Sequence, residues 1–182
     1  MIRATRRSAM MGALAVPTIA GLVHWRWKHG ERSVLLHDPA LAAGRRFAEA
    51  GAARGGDVRA IEGDRIRFSR EVLADRPALI TGVSRHADFI LIEDAAREAG
   101  YRPAATIYGR ARTCAGHECQ PGWQSLGRMA SAAGEAWVEA LADYAAEPGR
   151  RAMGALARSL PHRADPGLVL GWILAPQRVI AR

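Results

Sequence analysis

Short apolar runs alternate with longer stretches of mixed polarity along residues 33–174, and this alternation predicts a chain of strands and helices. Each run has four to seven residues and is bounded by charged residues, glycine or proline, as strands in a covered sheet usually are. The runs place predicted strands at residues 33–37, 58–61, 77–81, 104–108 and 168–174.

The segments between the predicted strands carry helix signals. Asp38 followed by Pro39 is typical of a helix start, because the acid can cap the helix and proline suits the first helical position. We expect this helix to end at the glycines at 55–56. Ser84 is expected to cap a second helix over residues 85–99.

Toward the C-terminus, apolar residues at helical spacing predict one amphipathic helix over residues 129–144 and a shorter helix over 153–160. Strands separated by helical stretches of ten or more residues are typical of βαβ units, whose parallel sheet is covered on both faces. We therefore predict one α/β domain over residues 33–182, Rossmann-like or flavodoxin-like, with a mainly parallel sheet of about five strands. The pattern does not give the strand order.

The composition fits one globular domain. The 182 residues are 49% hydrophobic and 24% charged, close to the average for globular proteins. The net charge of +8 comes from arginine, since Lys28 is the only lysine. The arginines are scattered and accompany no recognition motif, so a nucleic-acid partner is not expected. An anionic membrane surface or an acidic partner stays open.

The N-terminus has the pattern of an export signal. The first eight residues hold three arginines and no acid, and an apolar run over residues 9–23 follows. The stretch TRRS at residues 5–8 resembles the twin-arginine (Tat) export signal, and the resemblance covers only about the first twenty residues. Ala9 and Met11 stand where the family motif has Phe and Lys, so general secretion is an alternative route.

Three interpretations of this segment stay open. Small residues at Thr18 and Ala20 favour cleavage after Ala20, which would release a soluble periplasmic domain. Tryptophans and cations over residues 24–28 are typical of a membrane interface, and they favour an anchor in the inner membrane with a juxtamembrane linker over residues 21–32. A cytosolic protein with a fortuitous N-terminus is the third interpretation.

The predicted fold directs attention to the carboxyl ends of its strands, where open parallel sheets bind ligands. Gly82, Ser84 and Arg85 form the predicted anion site, because a glycine turn into a serine-capped helix points backbone N–H groups at an anion. Arg110 and Arg112 follow the fourth strand at the same edge. Most turns of this kind only cap helices, so the structural interpretation stays open beside the ligand site.

His37 and Asp38 follow the first strand and suggest a general base whose imidazole is oriented by the carboxylate. Adjacent residues at a strand end point in different directions, however, which favours a simple capping role for Asp38. Ser84 is a weak candidate nucleophile, because it is too close to His86 along the chain for the two to face each other. No cofactor motif is present, and no cofactor is predicted.

The only two cysteines, Cys114 and Cys119, flank His117 within a predicted loop over residues 109–124. Their spacing excludes c-type haem attachment and a thioredoxin-type redox motif. In an oxidising compartment, a disulfide between the two thiols is the expected state. A metal site formed by Cys114, His117 and Cys119, or a pair of free thiols, are the alternatives.

These observations favour an exported binding or accessory protein, which docks a small anionic ligand or a protein partner on the strand ends and the loop over residues 109–124. An envelope enzyme that uses His37, Asp38, Ser84 and Arg85 is the first alternative. A Tat-dependent subunit of a redox complex, with a metal at the cysteines, is the second. An uncleaved N-terminus would make the membrane a further partner.

Overall fold

A computed structural model of the chain describes residues 32–110, 113–146 and 165–177. The N-terminal segment with the expected export signal, Arg112 and the predicted helix over residues 153–160 lie outside the described residues. No helix within the described ranges has the length and apolar character needed to cross a membrane. The elements in chain order are β1 (Ser33–His37), α1 (Ala42–Ala52), β2 (Asp57–Ala60), α2 (Arg65–Ala74), β3 (Leu79–Arg85), α3 (His86–Glu98), β4 (Tyr101–Arg110), β5 (Thr113–Cys119), α4 (Gln124–Ala133), a 3-10 turn (Gly134–Ala136), α5 (Trp137–Ala146) and β6 (Leu168–Pro176).

All six strands belong to one mixed sheet with the order β2-β1-β3-β6-β4-β5. β1 runs parallel to β2 and β3, whereas β6 lies antiparallel between β3 and β4, and β5 is antiparallel to β4. The α/β class is confirmed, but the expectation of a mainly parallel sheet of about five strands is wrong. Only two residues separate β4 from β5, which is too short for the crossover that a parallel pair needs.

Helices cover both faces of the sheet. Alternate side chains of each central strand point to opposite faces, so Leu35 packs toward α1, α4 and α5, while Val34 and Leu36 pack toward α2 and α3. These three residues of β1 are fully buried, which explains why the strand appears in the sequence as a continuous apolar run. The core therefore consists of two apolar layers separated by the sheet.

β3 is longer than predicted. It continues through Gly82 and Ser84 to Arg85, so Ser84 does not cap α3, which begins at His86 without a side-chain cap. The cause is β6, where Trp172 lies directly opposite Gly82. A Cβ atom on Gly82 would come within 2.2 Å of the indole ring, and the indole Nε1–H donates to Ser84 Oγ at 3.0 Å. Pairing with β6 therefore extends the strand past the local turn signal.

Two helix predictions are also corrected, and one further helix was not predicted. α1 begins at Ala42 with Leu41 at its N-cap position, and not at Asp38-Pro39. The helix predicted over residues 129–144 is divided into α4 and α5 at Gly134, whose φ of 57° lies in the left-handed region. α2 was not predicted, although Asp64 caps it by accepting the Arg67 N–H at 2.9 Å.

We expect Gly82→Ala to destabilise the fold by about 1–3 kcal/mol, because a methyl group at this position overlaps the buried Trp172 ring. Urea unfolding measures the effect. Gly116→Ala is the matched control, since no atom lies within 4 Å of the Cβ position and the change should be neutral or slightly stabilising. Equal stability of the two variants would contradict this packing of Trp172.

Candidate functional site

The carboxyl ends of β1 and β3 form the topological switch point of the sheet. From β1 the chain passes through α1 to β2 on one side, and then returns through α2 to β3 on the other side of β1. α1 and α2 consequently lie on opposite faces of the sheet, the arrangement that leaves a crevice between the two strand ends in open α/β sheets. Open α/β sheets bind ligands at this position. His37, Asp38 and Arg85 stand there.

Asp38 is held rigidly in this crevice. Its N–H donates to the Val83 carbonyl at 3.0 Å, and its Oδ1 accepts the Ala40 N–H at 2.8 Å. α1 approaches so closely that a Cβ atom on Gly44 would lie 2.1 Å from the Asp38 carbonyl oxygen. Asp38 is only 3% exposed, and among the described residues its Oδ2 accepts no hydrogen bond. One carboxylate oxygen is therefore buried and still able to accept a donor.

Arg85 stands opposite this oxygen. Its Nε lies 3.6 Å from Asp38 Oδ2, beyond hydrogen-bond distance, and the Arg85 side chain is 58% exposed. The pair attracts electrostatically, but solvent screening at the exposed arginine keeps the attraction weak. A positive charge and a buried carboxylate oxygen without a hydrogen bond therefore lie next to each other at the carboxyl ends of β1 and β3.

His37 contributes the third polar group. Its carbonyl accepts the Ile61 N–H at 2.8 Å, and its Nδ1 is buried without a hydrogen-bond partner in the described part of the chain. Burial lowers the pKa of His37 below its ordinary value, although the nearby charges of Asp38 and Glu62 oppose this effect. The imidazole is therefore neutral at neutral pH and can accept a hydrogen bond or a proton.

The N-terminus of α1 is occupied by the protein itself. Oδ1 and Oδ2 of Asp165 accept the N–H groups of Ala42 and Ala43 at 2.6 and 2.8 Å. A carboxylate at this helix end satisfies two backbone donors and complements the helix dipole. Sequence reasoning missed Asp165 because it lies more than 120 residues from the helix that it caps. The N-terminus of α1 is therefore not available to bind another anion.

The predicted anion site is only partly assembled. Gly82 and Ser84 lie inside β3 in the core, so their backbone does not form a glycine turn facing a ligand. Of Gly82, Ser84 and Arg85, only Arg85 lies at the carboxyl end of β3. Arg110 is the last residue of β4 and lies at the same end of the strands as Arg85. This follows because Arg85 pairs with Val169 of β6 and Arg110 pairs with the adjacent Leu168. The two arginines are two strand positions apart, or about 10 Å across the sheet.

The expected disulfide is not formed, and Cys114 and Cys119 are free thiols. Both cysteines lie on β5, where each residue advances the chain by about 3.3 Å. A disulfide requires Cα atoms about 4.4–6.8 Å apart, which two residues at opposite ends of this strand do not reach. The predicted loop over residues 109–124 is likewise wrong, because most of it forms the β4–β5 hairpin.

His117 lies on β5 between the two cysteines. Within residues 32–110, 113–146 and 165–177, no group of three or more His, Cys, Asp or Glu side chains is arranged to bind a metal ion. The metal site proposed for Cys114, His117 and Cys119 therefore has no support in the described geometry.

No protein-family model, curated protein or solved structure matches this chain at significant similarity. The polar groups at the switch point are therefore the evidence on which a function rests.

We expect Asp38→Asn to lower the pKa of His37 further, because the Asp38 charge favours the protonated imidazole. Titration of the His37 ring by NMR measures the shift in both proteins. An unchanged or higher pKa in the variant would contradict the placement of the carboxylate beside the ring.

The same burial makes stability depend on pH. The unfolded chain binds a proton at His37 with the ordinary pKa of 6.5, whereas the folded chain binds it more weakly. Stability should therefore decrease as pH falls from 6.5 through the folded-state pKa, and His37→Gln should remove that part of the dependence. Urea unfolding at several pH values measures both curves.

Asp165→Ala should destabilise the fold by about 1–2 kcal/mol, because the Ala42 and Ala43 N–H groups at the start of α1 lose their acceptor. Denaturant unfolding measures the loss. Asp94→Ala is the control, since Asp94 is exposed within α3 and alanine favours helices. A cost no larger than that of the control would show that Asp165 does not cap α1.

Proposed function

We propose that the domain binds a small acidic molecule at the β1–β3 switch point. The observation that carries this proposal is the buried Asp38 Oδ2, which accepts no hydrogen bond among the described residues and faces the exposed Arg85. Buried polar atoms are nearly always hydrogen-bonded. A buried oxygen without a hydrogen-bond partner at this position therefore indicates that a ligand supplies the donor.

The two groups define the chemistry of the ligand. Asp38 Oδ2 needs a hydroxyl or ammonium donor, because an ionised carboxylate only accepts hydrogen bonds. Arg85 favours a carboxylate or another acidic group, which its guanidinium can bind with paired N–H donors. A molecule with both groups on neighbouring atoms, such as an amino acid or a 2-hydroxy acid, fits this arrangement. Arg110 at the same edge favours ligands with a second acidic group.

We further propose that this binding takes place in the cell envelope. The arginines and the apolar run of the first 23 residues, and the resemblance of residues 5–8 to a twin-arginine signal, support export. In this account the domain works as a periplasmic binding or accessory protein, released after cleavage or held at the inner membrane.

An envelope enzyme is the second candidate function. It is favoured by His37, whose pKa is lowered by burial and whose Nδ1 is without a partner in the described part of the chain. A neutral imidazole beside a ligand donor is suited to act as a general base. Ser84 is not part of this candidate, because its Oγ is hydrogen-bonded to the buried Trp172.

Isothermal titration of the purified chain with the common amino acids, lactate and malate tests the proposal. We expect at least one compound to bind, and Arg85→Ala and Asp38→Asn each to weaken it about tenfold or more, as loss of a hydrogen bond to a charged group does. Arg67→Ala is the matched control, since this arginine is 82% exposed on α2 and should leave binding unchanged.

The outcomes separate the candidates. A panel without a binder, or a binder insensitive to both variants, would contradict the proposed site. Chemical conversion of the bound compound, followed by NMR and lost in His37→Gln, would favour the enzyme over the binding protein.

A further inference from the structure

A second cluster of reactive side chains lies away from the switch point, between the edge strand β5 and α4. Ser131 of α4 stands between two residues of β5, with its Oγ 3.7 Å from Cys114 Sγ and 3.3 Å from His117 Nδ1. Cys114 is partly exposed, while Ser131 and His117 are exposed. A thiol, a hydroxyl and an imidazole therefore lie in a row that solvent can reach, and the thiol also donates to the Gly116 carbonyl oxygen at 3.4 Å.

Two features of the backbone create this arrangement. An irregularity in the β4–β5 ladder pairs Tyr108 with Gly116 and Gly109 with Cys114, which leaves one extra residue in β5. Residues three apart on a regular strand point to opposite faces, and the extra residue brings Cys114 to the same face as His117. The imidazole then packs on α4 at Gly127, where a Cβ atom would lie 2.0 Å from the ring.

We propose that Cys114 is a modification site that exchanges with small disulfides. Ser131 and His117 form the proton relay that removes the proton of its thiol. The proposal is independent of ligand binding at the switch point. Reactive thiols are partly exposed and lie beside a proton acceptor, as Cys114 does here.

The exchange is balanced without any further reactant. The Cys114 proton passes to Ser131 Oγ as the Ser131 proton passes to His117 Nδ1. The resulting thiolate attacks one sulfur of the small disulfide, so that a new S–S bond forms at Cys114 and the S–S bond of the reagent breaks. The departing thiolate takes the proton from His117 and leaves as a thiol.

Cys119 does not take over this role. Burial raises the pKa of the Cys119 thiol above its ordinary value, although Gly127 and Arg128 oppose the effect. Its position at the far end of β5 also keeps it from resolving a mixed disulfide on Cys114. The expected product is a single stable mixed disulfide and not an internal disulfide.

The test is the reaction of the full chain with oxidised glutathione at pH 7, followed by intact mass and peptide mapping. We expect one glutathione at Cys114, and the same product at the same rate in Cys119→Ser. Ser131→Ala should slow the reaction about tenfold or more, since it removes the relay, whereas Ser131→Thr keeps the hydroxyl and should keep the rate. His117→Gln should be as slow as Ser131→Ala.

Equal rates in the wild type and Ser131→Ala, equal slowing in Ser131→Ala and Ser131→Thr, or modification of Cys119 as fast as of Cys114 would each overturn the proposal. An unmodified wild-type chain would do the same. Urea unfolding of the variants shows whether a slow rate reflects loss of the hydroxyl or loss of the fold, and the threonine variant decides between these two explanations.

Discussion

The insertion of β6 between β3 and β4 is the constraint on which the rest of the structure depends. Trp172 on this strand is fully buried, packs on Gly82, and donates its indole N–H to Ser84 at the interior of the fold. Its ring also lies 5.4 Å from that of Phe89, which ties α3 to the sheet. Because β6 pairs with β3 up to the last residue of β3, Arg85 is placed at the carboxyl end of that strand, beside Asp38.

The position of α1 beside Asp38 depends on how this helix is anchored. The helix packs on the Asp38 backbone through Gly44, which leaves no space for a side chain, and Asp165 satisfies its first N–H groups. Arg46 forms a bidentate ion pair with Glu139 of α5, in which Nε donates to Oε1 at 2.7 Å and Nη2 donates to Oε2 at 2.6 Å. These contacts fix the turn after β1, and none of them is a hydrogen bond to Oδ2 of Asp38. The polar groups of the proposed site are therefore supported by rigid elements.

The sequence alone predicted the α/β class, the bounds of β1, and the position of His37 and Asp38 at the end of that strand, because these follow from a local apolar run and its flanking charges. It did not predict the end of β3, since Trp172 overrides the local turn signal at Gly82 from 90 positions away. The β4–β5 hairpin was missed for a related reason. A strand with little apolar character, such as β5, is stabilised by its partner strand and by α4 and not by its own pattern.

A crystal structure of the chain, grown with a mixture of the common amino acids, lactate and malate, tests the central claim most directly. The account predicts density for one small molecule at the β1–β3 switch point, with a donor on Asp38 Oδ2 and an acidic group on Arg85. A crevice holding only water, with Arg85 closed onto Asp38 or the compound bound elsewhere, would contradict the assignment of this crevice as the ligand site.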